Sequence, residues 1–135
     1  MSDVTHGRGY VYSIKYHVVW CVKYRRKVLC GDVEASLRGI LFKIAEDNGF
    51  QIEEYNSDAD HVHLLLNCKP QHYIPNMIKA LKGVSGKRLL KEYGDGLLSR
   101  LYGGHLWNPS YFIATVSENT EAQVKEYIRK QGKGE

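Results

Sequence analysis

The sequence predicts an α+β domain built on one antiparallel sheet, and three observations carry that prediction. Aromatic and β-branched residues alternate from Tyr10 to Tyr24, with Tyr12, Ile14, Tyr16, Val18 and Trp20 at period two, the mark of a long strand. Val33, Leu37, Ile40, Leu41 and Ile44 then recur at helical spacing. Continued along the chain, the two patterns give the order β-α-β-β-α-β with one helix left over.

The first strand runs into the basic turn Tyr24-Arg25-Arg26-Lys27. Asp32 is placed to cap a helix from Val33 to Asn48, where Asn48-Gly49 supplies the stop. Two strands, Phe50 to Asn56 and His61 to Cys68, flank the turn-prone Ser57-Asp58-Ala59-Asp60 and read as a hairpin. A second helix is expected from Tyr73 to Tyr93, with Pro75 in its first turn. Ile74, Ile78, Leu81, Leu89 and Leu90 are its apolar contacts, and Gly83 and Gly86 weaken its middle.

Gly94 to Pro109 reads as loop around a short helix at Leu97 to Leu101, and Tyr111 to Val116 as the last strand. Thr120 with Gln123 resembles a capping box opening a terminal helix that runs through Gln131. This is the split βαβ arrangement of ferredoxin-like, or RRM-like, folds, in which two helices cover one face of the sheet. The other face is left for the additional C-terminal helix. At 135 residues and 43% hydrophobic, with no repeat or linker, residues 1–135 are expected to form one domain with a real core.

No run of about 18 apolar residues marks a membrane span. Met1-Ser2-Asp3-Val4-Thr5-His6 lacks a secretory pattern, so a cytoplasmic protein is expected. Cys21, Cys30 and Cys68 are odd in number and lack paired metal or redox spacing, so they read as reduced thiols. The net charge of +4 is mild but clustered: Lys23, Arg25, Arg26 and Lys27; Lys79, Lys82, Lys87, Arg88 and Lys91; Lys125, Arg129, Lys130 and Lys133. Each cluster reads either as a track for a phosphate backbone or as an ordinary solvated face.

The chemistry centres on Asp60-His61-Val62-His63-Leu64-Leu65-Leu66. In a strand, His61 and His63 project to one face while Val62, Leu64 and Leu66 project to the helices. The two imidazoles then stand roughly 7 Å apart along the strand, close enough to share one divalent metal. The competing reading is two unrelated histidines. On the terminal helix, Tyr127 and Gln131 lie one turn apart, beside an apolar stripe of Val124 and Ile128 that can dock on the open sheet face. The Gln131 amide oxygen suits a hard Mg²⁺ or Mn²⁺ ion better than a closed zinc site. Tyr127 is then a candidate nucleophile; a phenol is weak in that role near neutral pH, and a metal-polarised phosphate compensates. Its plain alternative is a packing residue. Asp60 is either a turn former or a partner that orients a histidine.

These residues carry a family resemblance. His61-Val62-His63 matches the histidine-hydrophobic-histidine (HUH) signature, and Tyr127-Ile128-Arg129-Lys130-Gln131 resembles the tyrosine-to-glutamine helix of the single-tyrosine HUH transposases of small bacterial insertion sequences. Tyr16-His17-Val18-Val19-Trp20-Cys21-Val22-Lys23-Tyr24-Arg25-Arg26 resembles the first strand of that family. Trp107-Asn108-Pro109-Ser110-Tyr111-Phe112 with Thr115-Val116 resembles the stretch before its terminal helix.

The resemblance implies a homodimeric DNA transposase, acting near the nucleoid, that binds single-stranded DNA and recognises hairpins at element ends. It implies Tyr127 as nucleophile, forming a 5′-phosphotyrosine, and His61, His63 and Gln131 as ligands to Mg²⁺ or Mn²⁺. Strand exchange through a phosphotyrosine ester conserves the bond, which accords with the absence of a Gly-rich P-loop. Lys23, Arg25, Arg26, Lys82 and Lys87 are candidate DNA contacts. Three other readings stand beside this one: a domesticated hairpin nuclease, a non-catalytic ferredoxin-like nucleic-acid module, and a zinc hydrolase using His61, His63 and Cys68.

Overall fold

The computed structural model describes residues 5–7, 10–12, 14–98, 105–117 and 119–130. Short strands β1 (Thr5–Gly7) and β2 (Tyr10–Tyr12) pair with each other in a separate ribbon. The main sheet contains β3 (Ile14–Cys21), β4 (Gln51–Asp58), β5 (His61–Cys68) and β6 (Phe112–Val116) in spatial order β4-β5-β3-β6, with every neighbouring pair antiparallel. That is the ferredoxin-like order expected from the element sequence.

The single strand expected over Tyr10 to Tyr24 is therefore corrected: Tyr10–Tyr12 pairs elsewhere, and the strand stops at Cys21. A 3-10 turn at Lys23–Arg25 follows, where Tyr24 and Arg25 adopt φ of 58° and 53° and no ladder can continue.

Helices α1 (Gly31–Asn48) and α2 (Ile74–Leu98) cover one face. Val18, Trp20, Val62, Leu64 and Leu66 from the sheet meet Leu37, Ile40, Leu41, Ile44, Ile78, Leu81 and Leu89 there in one buried cluster. The capping role expected of Asp32 is not observed. Cys30 holds the N-cap position without a side-chain bond, Asp32 lies inside the first turn, and its carbonyl accepts the Tyr93 hydroxyl at 2.8 Å. At the other end, Gly49 takes φ 79° and its N–H reaches Ala45 and Glu46 carbonyls, the stop that Asn48-Gly49 predicts.

Gly94 breaks α2 with φ 45°, ψ −126°, but helix resumes to Leu98. The loop expected from Gly94 thus begins later, and the short helix expected at Leu97 to Leu101 falls mostly outside the described residues. Gly83 and Gly86 do not interrupt α2. At Gly86 the missing side chain makes room for Trp107, whose Cδ1 would lie 3.2 Å from an added Cβ. Trp107 packs edge-on against Trp20 at 5.7 Å and donates Nε1–H to Ser85 Oγ at 3.0 Å. It also bridges to Val22, so the segment before β6 is fastened to the end of β3.

α3 (Glu121–Lys130) lies on the opposite sheet face, over β4 and β5, with Ile128 fully buried. The capping box expected of Thr120 and Gln123 is replaced by a local turn, in which the Thr120 hydroxyl bonds Ser117 Oγ at 3.1 Å. A register shift between Ile52 and Glu54 in β4 adds one residue to that strand. Ile52 and Tyr55 stay with the helix-side core, and both Glu53 and Glu54 meet the other face. Glu53 accepts from Lys15 Nζ at 2.9 Å, and Lys15, only 4% exposed, also reaches Glu121 at 2.7 Å. Glu54 receives Arg129 through two bonds of 2.7 and 3.1 Å. Asn56 Nδ2 donates to the Ile128 and Arg129 carbonyls at 2.9 and 3.1 Å. α3 is thus held by one apolar anchor and a polar clasp along β4.

Candidate active site

β5 alternates as its sequence demands. Val62, Leu64 and Leu66 are fully buried against α1 and α2, and His61 and His63 emerge under α3. Their rings stand edge to face with centroids 4.8 Å apart, nearer than the strand rise alone implies, because the side chains lean together.

Each ring is engaged through Nδ1. His61 Nδ1 lies 2.6 Å from Asp60 Oδ1, and since a carboxylate only accepts, this fixes the proton on Nδ1 and leaves Nε2 as a lone-pair donor. Asp60 Oδ2 is taken up by Arg25 Nε at 3.1 Å. Burial raises the Asp60 pKa, but the hydrogen bonds from His61 and Arg25 outweigh it and hold the carboxyl below its ordinary value. Asp58, whose oxygens also approach this group, accepts the Ala59 N–H at 2.7 Å. Both aspartates are thereby used in the turn, and Asp60 both forms it and orients a histidine.

His63 Nδ1 meets His17 Nε2 at 3.4 Å. His63 Nε2 is buried and has no hydrogen-bond partner among the described residues. Burial, then the neighbouring His61 and His17, lowers the His63 pKa to about 4, so the ring is neutral near pH 7. Burial lowers His17 likewise. His61 Nε2, with its lone pair free, is a nitrogen that a divalent ion can use, and the buried, partnerless His63 Nε2 stands on the adjacent ring.

Tyr127 completes the cluster. Its ring centroid lies 5.6 Å from His63 and 5.8 Å from His17, edge to face with both, and the residue is 50% exposed. Phe112 of β6 closes the side at 5.9 Å from His17. Tyr127, His61 and His63 are therefore brought together; Gln131, the expected third ligand, lies outside the described residues. His17 was missed by sequence reasoning, although period-two alternation in β3 was its signal, since it puts His17 on the face of Lys15, Val19 and Cys21.

Cys68 cannot share this site. It belongs to the buried core under the helices, opposite His61 and His63, and burial pushes its thiol up to about 12. A zinc site that includes Cys68 is excluded by this placement.

The candidate DNA contacts divide. Lys23, Lys82 and Lys87 line one cavity of about 430 Å³ with His105, Leu106 and Trp107. Lys82 Nζ already donates to the Asn108 and Ser110 carbonyls at 2.6 and 3.0 Å. Arg25 is tied to Asp60, and the Arg26 guanidinium stands 6.0 Å from the Tyr24 ring centroid. No described helix is long and apolar enough to cross a membrane.

With this geometry established, comparison with known proteins is specific. The chain is 51% identical over 129 residues to the ISDra2 transposase TnpA of Deinococcus radiodurans, covering 96% of this chain and 91% of that one. It is 33% identical over 120 residues to the transposase for insertion sequence element IS200 of Salmonella typhimurium, covering 89% and 78%. A Deinococcus radiodurans R1 crystal structure assigned as a transposase superposes with a TM-score of 0.78 at 46% identity, covering 94% of this chain and 97% of that one. A REP-associated tyrosine transposase bound to a REP hairpin shares the fold, with a TM-score of 0.67 at 17% identity and 96% and 72% coverage. The family description "Transposase IS200 like" matches residues 10–131, and the chain belongs to the IS200-like transposase family.

Proposed function

We propose that this chain is a metal-dependent single-strand DNA endonuclease and strand transferase serving transposition. Its substrate is single-stranded DNA with hairpins near the ends of an insertion sequence, and it works as a homodimer. The observation that carries the reading is the partnerless, buried His63 Nε2, set beside His61 and against the Tyr127 ring.

The donor set fits Mg²⁺ or Mn²⁺. His61 and His63 would hold the ion through Nε2, with Gln131 as a third ligand on the family resemblance. When bound, it would polarise a phosphate oxygen and stabilise the charge that develops there. Tyr127 Oη attacks the phosphorus, the bond to the 3′-oxygen breaks, and a 5′-phosphotyrosine and a free 3′-hydroxyl result. The phenol proton leaves to water, to which the half-exposed Tyr127 is open, and water returns a proton to the departing 3′-oxygen to give the hydroxyl. Reversal by a second 3′-hydroxyl joins strands without ATP. Asp60 keeps His61 in the ligating tautomer, and Arg25 braces Asp60.

A non-catalytic module of this fold would use its open sheet face for bases. Here α3 lies over β4 and β5, which disfavours that reading. The test is incubation of the protein with labelled hairpin-bearing strands in Mg²⁺, Mn²⁺ or EDTA, followed by a denaturing gel. Cleavage and a covalent protein-DNA band only with a divalent ion are expected. Cutting in EDTA, or cutting without an adduct, overturns the proposal.

A further inference from the structure

His17 lies in the site but has no role in the chemistry above. We infer that His17 is a positioning residue that holds His63 in the tautomer with its proton on Nδ1, leaving His63 Nε2 bare. The functional meaning of this rests on the reading of His63 as a metal ligand; the tautomer itself does not.

A neutral imidazole has one N–H and one lone pair. The His17 and His63 planes differ by only 19°, and their centroids are 5.6 Å apart with the facing nitrogens at 3.4 Å. The centroid separation exceeds the nitrogen separation by about the two ring radii. The rings therefore meet edge to edge near one plane, as an in-plane hydrogen bond requires, and not face on face.

One nitrogen of this pair must donate and the other accept. If His17 donated, the His63 proton would sit on Nε2, a buried N–H with no acceptor among the described residues. With His63 donating from Nδ1 to His17 Nε2, every proton on that contact is bonded, and the buried lone pair is the one available for a ligand. His61 is arranged the same way, with Asp60 as its acceptor. Each histidine of the pair thus has its own acceptor on Nδ1, a carboxylate for one and an imidazole for the other. His17 is itself held in place by Phe112 at 5.9 Å and by Tyr127 at 5.8 Å.

The experiment compares wild type, His17→Phe and His17→Gln. Phenylalanine keeps a ring against Phe112 and Tyr127 but cannot accept; glutamine restores an acceptor oxygen. Long-range ¹H–¹⁵N correlation spectra of the metal-free protein at pH 8 read the His63 tautomer, and calorimetry with Mn²⁺ alone reads affinity. Wild type is expected to carry the His63 proton on Nδ1. His17→Phe should shift His63 toward the Nε2–H form and bind Mn²⁺ about ten- to a hundredfold more weakly, as loss of such a partner typically does. His17→Gln should recover most of both.

A wild-type His63 protonated at Nε2 overturns the inference, as does a His17→Phe protein with unchanged tautomer and affinity. If the wild-type tautomer is as stated and moves in His17→Phe, but wild type binds Mn²⁺ no better than His61→Ala, the metal reading fails and the tautomer assignment stands.

Discussion

Tyr127 of α3 and His63 of β5 stand edge to face, ring centroids 5.6 Å apart and planes at 79°. They come from opposite sides of an element boundary: His63 is fixed by the sheet ladder, and Tyr127 only by the way its helix is docked. The site is therefore only as well formed as the docking of α3.

Lys15 is the centre of that docking. Its ammonium, 4% exposed, lies between Glu53 and Glu121, and its removal leaves two largely buried carboxylates facing each other. Breaking a buried pair typically costs about 3–5 kcal/mol; Lys125, 3.0 Å from Glu121, offsets part of this. Lys15→Met is expected to lose about 2–3 kcal/mol in denaturant unfolding. Amide exchange in α3 should quicken more than in α1. Unchanged α3 protection would contradict the clasp.

Arg129 makes the opposite case. Its bidentate bond to Glu54 has good geometry, yet the side chain is 57% exposed and its charge is well solvated. Arg129→Ala is expected to leave the denaturation midpoint unchanged, with or without added salt. A clear drop would show that the outer rim of the clasp matters as much as its core.

His63 sets a pH dependence of stability. Its folded pKa of about 4 lies below the ordinary 6.5 expected when unfolded, so the unfolded chain binds the proton more readily. The contribution is present above about pH 6.5 and is lost as pH falls toward 4, amounting to about 2 kcal/mol by pH 5. Denaturant titrations at pH 7.5 and 5 should show this loss, and His63→Asn should reduce it. An equal loss in the variant assigns the effect to other groups.

Trp107 is held on three sides, by Trp20, by Ser85 and by the bare backbone of Gly86. Gly86→Ala adds helix propensity but forces its Cβ to 3.2 Å from a ring that cannot retreat, so a net loss of about 1 kcal/mol is expected. Ser85→Ala strands the buried indole N–H and should cost about 1–3 kcal/mol. Thermal midpoints check both; a stabilised Gly86→Ala would mean that the ring does give way.

The strand order and the His61-Val62-His63 face were legible because period-two alternation and buried leucines are local signals. The length of β3 was not, because left-handed Tyr24 and Arg25 carry no glycine to announce them. Nor was the clasp: it depends on a bulge that turns Glu53 and Glu54 to the same face, and a one-residue insertion breaks the alternation from which faces are read. Asp32 and Thr120 have good capping chemistry in sequence but are used otherwise in the fold. His17 was visible as a residue on the right face; its contact with His63 requires the register that pairs Val19 with His63, which no single sequence specifies.

The most direct test of the whole account uses Tyr127→Phe, with hairpin-bearing single strands labelled on one side or the other of the cleavage site, in Mg²⁺. Wild type should retain the downstream label in a covalent protein band and release the upstream fragment with a free 3′-hydroxyl. The variant should bind the same hairpin and yield neither adduct nor cut strand. A phenylalanine variant that still cleaves as wild type does would contradict the assignment of Tyr127 as nucleophile, and with it the proposed mechanism.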